Sequence, residues 1–202
     1  MKVRFFLVLF VMSLCLAAWP AQGMASPTDD VKKVVDEVIR IVTNKELKKP
    51  QNEKKRRDEL RKTIASLFDF KQMAKLSLGP QWRKCSPAEQ KVFVPLFESL
   101  LENSYASRIE AYNNEKVVYL KESVEKDYAE VKSKVITVKG DELLLVYRLG
   151  KDGDKWMVHD VVIEGVSLVA NYRSQFNRVI QTQGYAALEK KLQSKSTELK
   201  SL

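Results

Sequence analysis

Histidine, cysteine and glycine are all scarce in this sequence. Its 202 residues include one histidine, two cysteines and seven glycines. One histidine excludes metal sites built from several histidines, and so few glycines leave little room for a glycine-rich phosphate-binding loop. Paired-cysteine spacings of the zinc-binding kind are missing as well. The sequence therefore lacks the parts for the commonest metal and nucleotide chemistries.

The hydrophobic run at the N-terminus is too short for a transmembrane helix. It covers residues 5–18, about 14 residues, whereas a transmembrane helix needs about 20. Two basic residues precede this run and small residues follow it, which is the order typical of a secretory signal peptide. We predict that residues 1–25 are a signal peptide, removed by cleavage after Gly23 or after Ala25, and that the mature chain is soluble and exported.

Removal of that segment changes the cysteine count and the charge. Cys15 leaves with it, so Cys85 remains alone and no intramolecular disulfide can form. The formal net charge falls from +9 to +7 with the loss of Lys2 and Arg4. Residues 26–202 are long enough to form a single domain stabilised by its own core. Export disfavours nucleic acid as a partner, which leaves anionic lipid head groups and acidic proteins.

Helical periodicity dominates both ends of the mature chain. Apolar residues recur at the spacing of one buried helical face, and Ser86 with Glu89 forms a capping box before a long helix that contains Pro95. The predicted helices are residues 28–44, a charged helix from about 52, 69–78, the long helix after Ser86, one from 166, and a short last one around 188–192.

Between these helices the apolar period changes to two. Four strand-like segments, 116–124, 127–138, 141–149 and 155–165, are joined by short turns. Such short connections require antiparallel neighbours, which makes a meander. The predicted fold is therefore α+β, with a curved antiparallel sheet of about four strands covered on one face by a layer of helices. The residues alone leave open whether the space between the layers is a filled core or an apolar cavity.

Several reactive side chains are concentrated where the last strand meets the next helix. His159 and Ser167 could act as base and nucleophile of a hydrolase, although the glycines of a nucleophile elbow are not there. The alternative is structural: His159 is packed, Ser167 caps a helix, and Asp160 and Glu164 pair with Arg173 across the corner. Strict alternation would also place Val158, Asp160 and Val162 on one face of the strand.

Several motifs along the chain resemble one known family. They are "FDFKQMAKLSLGPQW", "SPAEQKVFVPLFESLLENSYASRIEAY", "VYRLGKDGDKW" and "WMVHDVVIEGVSLVANYRSQF" followed by "GYAALEKKL". The sequence is similar, over nearly the whole mature chain, to the toluene-tolerance family, the periplasmic phospholipid-binding MlaC proteins.

The resemblance implies a soluble, monomeric periplasmic phospholipid carrier that needs neither catalytic residues nor a cofactor. Its expected partners are phospholipid, the outer-membrane lipoprotein–porin complex and the inner-membrane ABC transporter complex of the Mla system, and its expected role is to maintain the lipid asymmetry of the outer membrane. The alternatives are a protein-docking adaptor with a filled core and a lipid esterase that uses His159 and Ser167.

The resemblance also favours an apolar cavity between helices and sheet. A lipid with roughly 30 methylenes would face on the order of 24 kcal/mol if its chains stayed in water, at about 0.8 kcal/mol each. The carrier must therefore enclose the chains. The predicted cavity walls are Phe93, Phe97, Leu101, Tyr105, Val131, Val135, Tyr147, Val158, Val162, Val166 and Val169.

Overall fold

A computed structural model describes residues 25–198 of the chain. The predicted signal peptide lies outside the described residues apart from Ala25. The helices are α1 (Pro27–Thr43), α2 (Glu53–Ala65), α3 (Phe70–Leu78), α4 (Pro87–Glu110), α5 (Leu168–Gln183) and α6 (Tyr185–Glu198), with 3₁₀ turns at Pro50–Asn52 and Gly79–Arg83.

The helix starts follow the local capping signals. Ser86 and Glu89 form the predicted capping box of α4, and Pro95 lies inside that helix. The Asp69 carboxylate accepts a hydrogen bond from the Gln72 N–H at 2.8 Å and so caps α3. The last helix, α6, is longer than the short helix predicted from the sequence.

The sheet is an antiparallel meander with the order β1-β2-β3-β4-β5. Its strands are β1 (Lys116–Glu125), β2 (Tyr128–Ile136), β3 (Glu142–Asp152), β4 (Lys155–Ile163) and β5 (Val166–Ser167). The four predicted strands are present, and β5 is a short fifth strand that pairs with the end of β4. The predicted α+β class and its antiparallel meander are confirmed.

An irregularity in the pairing of β3 with β4 changes which side chains share a face. The register shifts between Arg148 and Leu149, so Arg148 pairs with Asp160 but Leu149 pairs with Val158. At this point β4 has one residue more than β3, and this extra residue breaks the alternation of side chains between the two faces of β4. As a result, Val161 joins Val158 in one buried cluster, and the prediction that Val162 shares the face of Val158 is wrong.

The helices contact the sheet unevenly. α1 packs on β1 and β2, whereas α3 and α5 contact β4. α4 packs mainly on α3 and α6. None of the helices among the described residues is both long and apolar enough to cross a membrane.

The buried apolar side chains form three groups. The helical cluster joins α3, α4, α5 and α6 and is centred on Phe93, Phe97 and Phe176. The sheet cluster lies between α1 and strands β2 to β4 and includes Val31 and Val131. A smaller end cluster joins α1 to α2. The core is therefore divided between the layers of the molecule.

Candidate functional site

The predicted cavity walls are divided between the helical cluster and the sheet cluster. Residues of the helical cluster, or packed against it, are Phe93, Phe97, Leu101, Tyr105 and Val169. Residues of the sheet cluster are Val131, Tyr147 and Val158. The remaining three, Val135, Val162 and Val166, belong to none of the three clusters. These residues therefore do not all belong to one packed cluster.

The first half of α4 faces other helices. Phe93 and Phe97 are completely buried. The Phe93 ring meets Phe176 edge to face at 5.8 Å between centroids, and Phe97 meets Tyr172 in the same way at 5.8 Å. These contacts hold α4 to α5. The sequence pattern could not distinguish this helix-to-helix packing from packing against the sheet.

Val166 is displaced from its predicted position. The apolar spacing predicts a helix that begins at Val166, but this residue lies in β5, two residues before α5 begins, and its exposed fraction is 58%. Ser167 ends the strand and caps α5, so the helix starts later than the apolar spacing predicted. Val166 is therefore on the surface of the described structure.

Phe68 marks the boundary between the helical and sheet clusters, because it packs against both. We call this boundary the seam. The backbone crosses it here: the Val158 N–H donates to the Leu67 carbonyl at 2.7 Å, and the Asp69 N–H donates to the Val158 carbonyl at 3.0 Å. The start of α3 is thereby fixed to β4.

A chain of contacts surrounds the seam. The end cluster joins α1 to α2, and α2 is joined to α4 by ion pairs. Arg61 and Glu102 are 2.7 Å apart, and Arg56 and Glu110 are 3.3 Å apart. Because α1 lies on the sheet while α3 and α5 reach β4, the contacts from the sheet through α1, α2, α4 and α3 return to the sheet and form a closed ring.

The corner between β4 and α5 is held by Asp160. This buried carboxylate accepts hydrogen bonds from the Ser167 hydroxyl at 2.6 Å, the Val169 N–H at 3.1 Å and Arg148 Nη1 at 3.4 Å. Ser167 Oγ also accepts from the Ala170 N–H at 3.0 Å, which confirms its predicted role as a helix cap.

The predicted pairing of Arg173 with Asp160 and Glu164 is wrong. Arg173 Nε donates instead to the Leu76 carbonyl at 2.9 Å, near the end of α3. The Glu164 carboxylate accepts from the Leu144 N–H of the neighbouring strand. The guanidinium thus satisfies a carbonyl in the last turn of a helix, where such groups lack intrahelical partners.

His159 occupies a packed position beside β3. A Cβ atom on Gly150 would lie 2.1 Å from its Cε1 atom, so the imidazole fills the space that a side chain would need. Its Nε2 atom is 3.8 Å from Asp69 Oδ2. Burial lowers the pKa of His159. No hydrogen bond joins His159 to Ser167 in the described part of the chain, so the geometry does not form the base and nucleophile pair.

Sequence reasoning assigned no role to two buried hydroxyls on the inner face of the sheet. Tyr119 on β1 and Ser133 on β2 are direct cross-strand partners. Neither Tyr119 Oη nor Ser133 Oγ has a hydrogen-bond partner among the described residues. The signal was a serine in the apolar alternation between Val131 and Val135, and only the strand register brings Tyr119 to it.

Two depressions beside α2 are built mainly from charged and polar side chains. One lies along α2 itself and the other lies between α1 and α2. Neither includes a predicted wall residue. Within residues 25–198, no group of histidine, cysteine, aspartate and glutamate side chains converges as a metal site would require.

Comparison with known proteins relates this geometry to a family. The MlaC protein family pattern matches residues 32–194. The chain is 22% identical to the intermembrane phospholipid transport system binding protein MlaC of Haemophilus influenzae, over 98% of this chain and 95% of that protein. It is 26% identical to the toluene tolerance protein ttg2D of Pseudomonas putida, over 84% of this chain and 80% of that protein.

A solved structure has a similar fold. The phospholipid-binding protein from Ralstonia solanacearum, solved in complex with a phospholipid, superposes with a TM-score of 0.75 and 28% sequence identity. The superposition covers 87% of this chain and 99% of that one. Since the family match also extends over most of the chain, this protein belongs to the MlaC family.

Proposed function

We propose that this protein is a soluble periplasmic carrier that shuttles phospholipid between the outer-membrane lipoprotein–porin complex and the inner-membrane ABC transporter complex of the Mla system, and so maintains outer-membrane lipid asymmetry. The observation that carries the proposal is the likeness in fold to a relative solved with a phospholipid bound. The transport system named for the Haemophilus influenzae relative supports the route between membranes.

The acyl chains would lie along the seam. The helical and sheet clusters are packed separately, so the layers would part away from Phe68, where backbone hydrogen bonds keep α3 joined to β4. Leu101 and Tyr105 would contribute from α4, and Val135, Tyr147 and Val158 from the sheet. Val135 is half-buried and belongs to none of the three clusters, so its side chain is free to contact a bound acyl chain. The aromatic pair of Phe93 and Phe97 would support this wall from behind.

This role needs no reacting group. Burying acyl chains supplies about 0.8 kcal/mol per methylene, a gain that a bilayer also provides. Exchange between carrier and membrane is then close to neutral and reversible, provided that the charged head group stays in water. The single histidine is packed against Gly150, and the hydroxyl of Ser167 is engaged in capping α5. We therefore propose a binding protein rather than an esterase.

The test is organic extraction of protein purified from the periplasm of a Gram-negative host, followed by mass spectrometry. We expect phospholipid in near-stoichiometric amount. A charge in the seam should prevent this, so Val135→Arg should reduce the phospholipid recovered by roughly tenfold or more, because the bound acyl chains would have to desolvate an unpaired guanidinium. Leu144→Arg is the matched control, since Leu144 is 42% exposed in the neighbouring strand; it should retain the lipid.

Recovery of protein alone from the parent chain would contradict the carrier function and favour the adaptor with a filled core. Loss of lipid in both variants would contradict the proposed position of the seam.

A further inference from the structure

Two hydroxyl groups in the interior of the protein lack hydrogen-bond partners. Ser133 is completely buried, and its Oγ atom makes no hydrogen bond. Tyr119 Oη is likewise buried and unpaired among the described residues. Tyr119 and Ser133 are cross-strand partners on β1 and β2, so their side chains share one face of the sheet, and Tyr147 interacts with both of them; together they form one polar spot. Buried polar groups are nearly always paired, so this spot requires an explanation.

Burial keeps the neighbouring tyrosines protonated. It raises the pKa of Tyr147 to about 12, and the adjacent Ser133 hydroxyl partly offsets this rise. The Ser133 and Tyr147 hydroxyls are nevertheless not placed for a hydrogen bond. Burial also raises the pKa of Tyr119. At neutral pH these groups are therefore neutral and able to donate a hydrogen bond.

The surroundings indicate what kind of group could accept that bond. Ser133 lies between Val131 and Val135 on the inner face of β2, and Tyr119 packs against the sheet cluster. The Asp36 carboxylate on α1 acts on Tyr119 electrostatically but is itself bound to Lys32. The groups that act electrostatically on Tyr119 are Tyr147 and Asp36, and no lysine or arginine of the described residues is among them, so a charged acceptor such as phosphate would be left uncompensated there.

We propose that Ser133 and Tyr119 form a subsite that donates hydrogen bonds to an ester carbonyl oxygen of a bound acyl lipid. The inference rests on the proposed carrier function and specifies how the cargo is recognised. Between the head group and the chain ends, the ester carbonyls are the hydrogen-bond acceptors of a diacyl phospholipid. They are neutral, and they enter an apolar site together with the chains. A lipid held in this way would satisfy the two hydroxyls that the protein leaves unpaired.

The test compares two lipids that differ only in these carbonyls. Delipidated protein is incubated with an equimolar mixture of a diacyl phosphatidylcholine and its dialkyl ether analogue, and the bound lipids are counted by mass spectrometry. We expect the parent chain to prefer the diester by roughly three- to tenfold, the effect of one net hydrogen bond. Ser133→Ala and Tyr119→Phe should each reduce this preference, and the double variant should abolish it while binding the ether lipid as before.

Ser77→Ala is the matched control. Ser77 is also completely buried, but its hydroxyl already donates to the Ala74 carbonyl at 2.8 Å. This variant should keep the preference for the ester. Thermal unfolding of the lipid-free variants provides a second readout: removal of an unpaired hydroxyl should leave the Tm of Ser133→Ala and Tyr119→Phe unchanged or higher.

The possible failures are distinct. If the parent binds both lipids equally, the subsite is wrong but the carrier function stands. If it binds neither, the carrier function fails and the subsite fails with it. If the variants lower the Tm of the lipid-free protein and keep the preference, the hydroxyls serve an internal water, which overturns the proposal. Should Ser133→Ala fail to fold, Tyr119→Phe alone decides between these outcomes.

Discussion

At the scale of single residues, the Asp160 carboxylate connects the sheet to α5. It is buried and accepts one hydrogen bond from a hydroxyl, one from a backbone N–H and one from a guanidinium. Replacing it removes the acceptor for the buried Val169 N–H at the start of the helix. The same guanidinium, that of Arg148, also binds Glu130, which lies on the exposed side of the strand.

We expect Asp160→Ala to lower the free energy of unfolding by roughly 2 to 4 kcal/mol, because buried donors lose their acceptor. Glu130→Ala is the control: its ion pair with Arg148 is about half exposed, and such pairs contribute about 0 to 1 kcal/mol. Urea unfolding followed by circular dichroism measures both. Equal losses in the two variants would show that Asp160 does not anchor the helix.

His159 should make stability depend on pH. Burial lowers its pKa in the folded state, an effect partly offset by Asp69 and Asp152. The unfolded chain therefore binds the proton more tightly, and stability should rise with pH between the lowered folded pKa and the ordinary value near 6.5. Below the folded pKa, the stability that the neutral imidazole of His159 provides at higher pH is fully lost.

The measurement is the free energy of unfolding of the parent and of His159→Gln at pH 5 and pH 7.5. The parent should lose more stability on acidification than the variant. The difference at pH 7.5 reports the change in packing against Gly150, and the additional difference at pH 5 reports protonation. A parallel loss in both proteins would exclude His159 as the titrating group.

At the scale of secondary structure, local sequence signals were sufficient for most boundaries. Ser86 with Glu89 predicts the start of α4, Asp69 predicts that of α3, and short turns predict the meander. These signals act within a few residues and are visible in the sequence.

We expect Ser86→Ala to destabilise the protein by about 1 kcal/mol, the usual effect of losing a helix N-cap. Its hydroxyl accepts from the Glu89 N–H at 3.3 Å, and the Ser86 N–H donates to the Glu89 carboxylate at 2.7 Å. Ser86→Asp should restore most of the stability, since aspartate also caps helices. If the aspartate variant is no more stable than the alanine variant, the cap is not the cause.

The features that the sequence did not reveal depend on pairing between distant segments. The extra residue in β4 shows itself only against β3, and it places Val161 where alternation placed Val162. Arg173 finds the Leu76 carbonyl because α5 lies against α3, which no local pattern encodes. The two unpaired hydroxyls become neighbours through strand register.

At the scale of the whole molecule, the division of the core is the feature most relevant to function. A single continuous core would resist the entry of a guest, whereas two clusters that meet at Phe68 leave a boundary, and we propose that the layers separate along it. Apolar residues that line such a boundary look the same in the sequence as residues of a filled core. For this reason the resemblance to the family, rather than the hydrophobic pattern, favoured a cavity.

Removal of the lipid should therefore weaken the entire fold. A ligand that binds only the folded state at 100 times its Kd stabilises that state by about 2.7 kcal/mol. For a chain of this size each kcal/mol changes the Tm by about 2 to 4 °C, so delipidation should lower the Tm by roughly 5 to 10 °C. Adding phospholipid back should restore it.

Differential scanning calorimetry of loaded, stripped and reloaded protein measures the change in Tm. The Val135→Arg variant should show the low Tm irrespective of added lipid. Identical Tm values for loaded and stripped parent protein would mean that the guest does not contribute to the folded interior and would contradict binding along the seam.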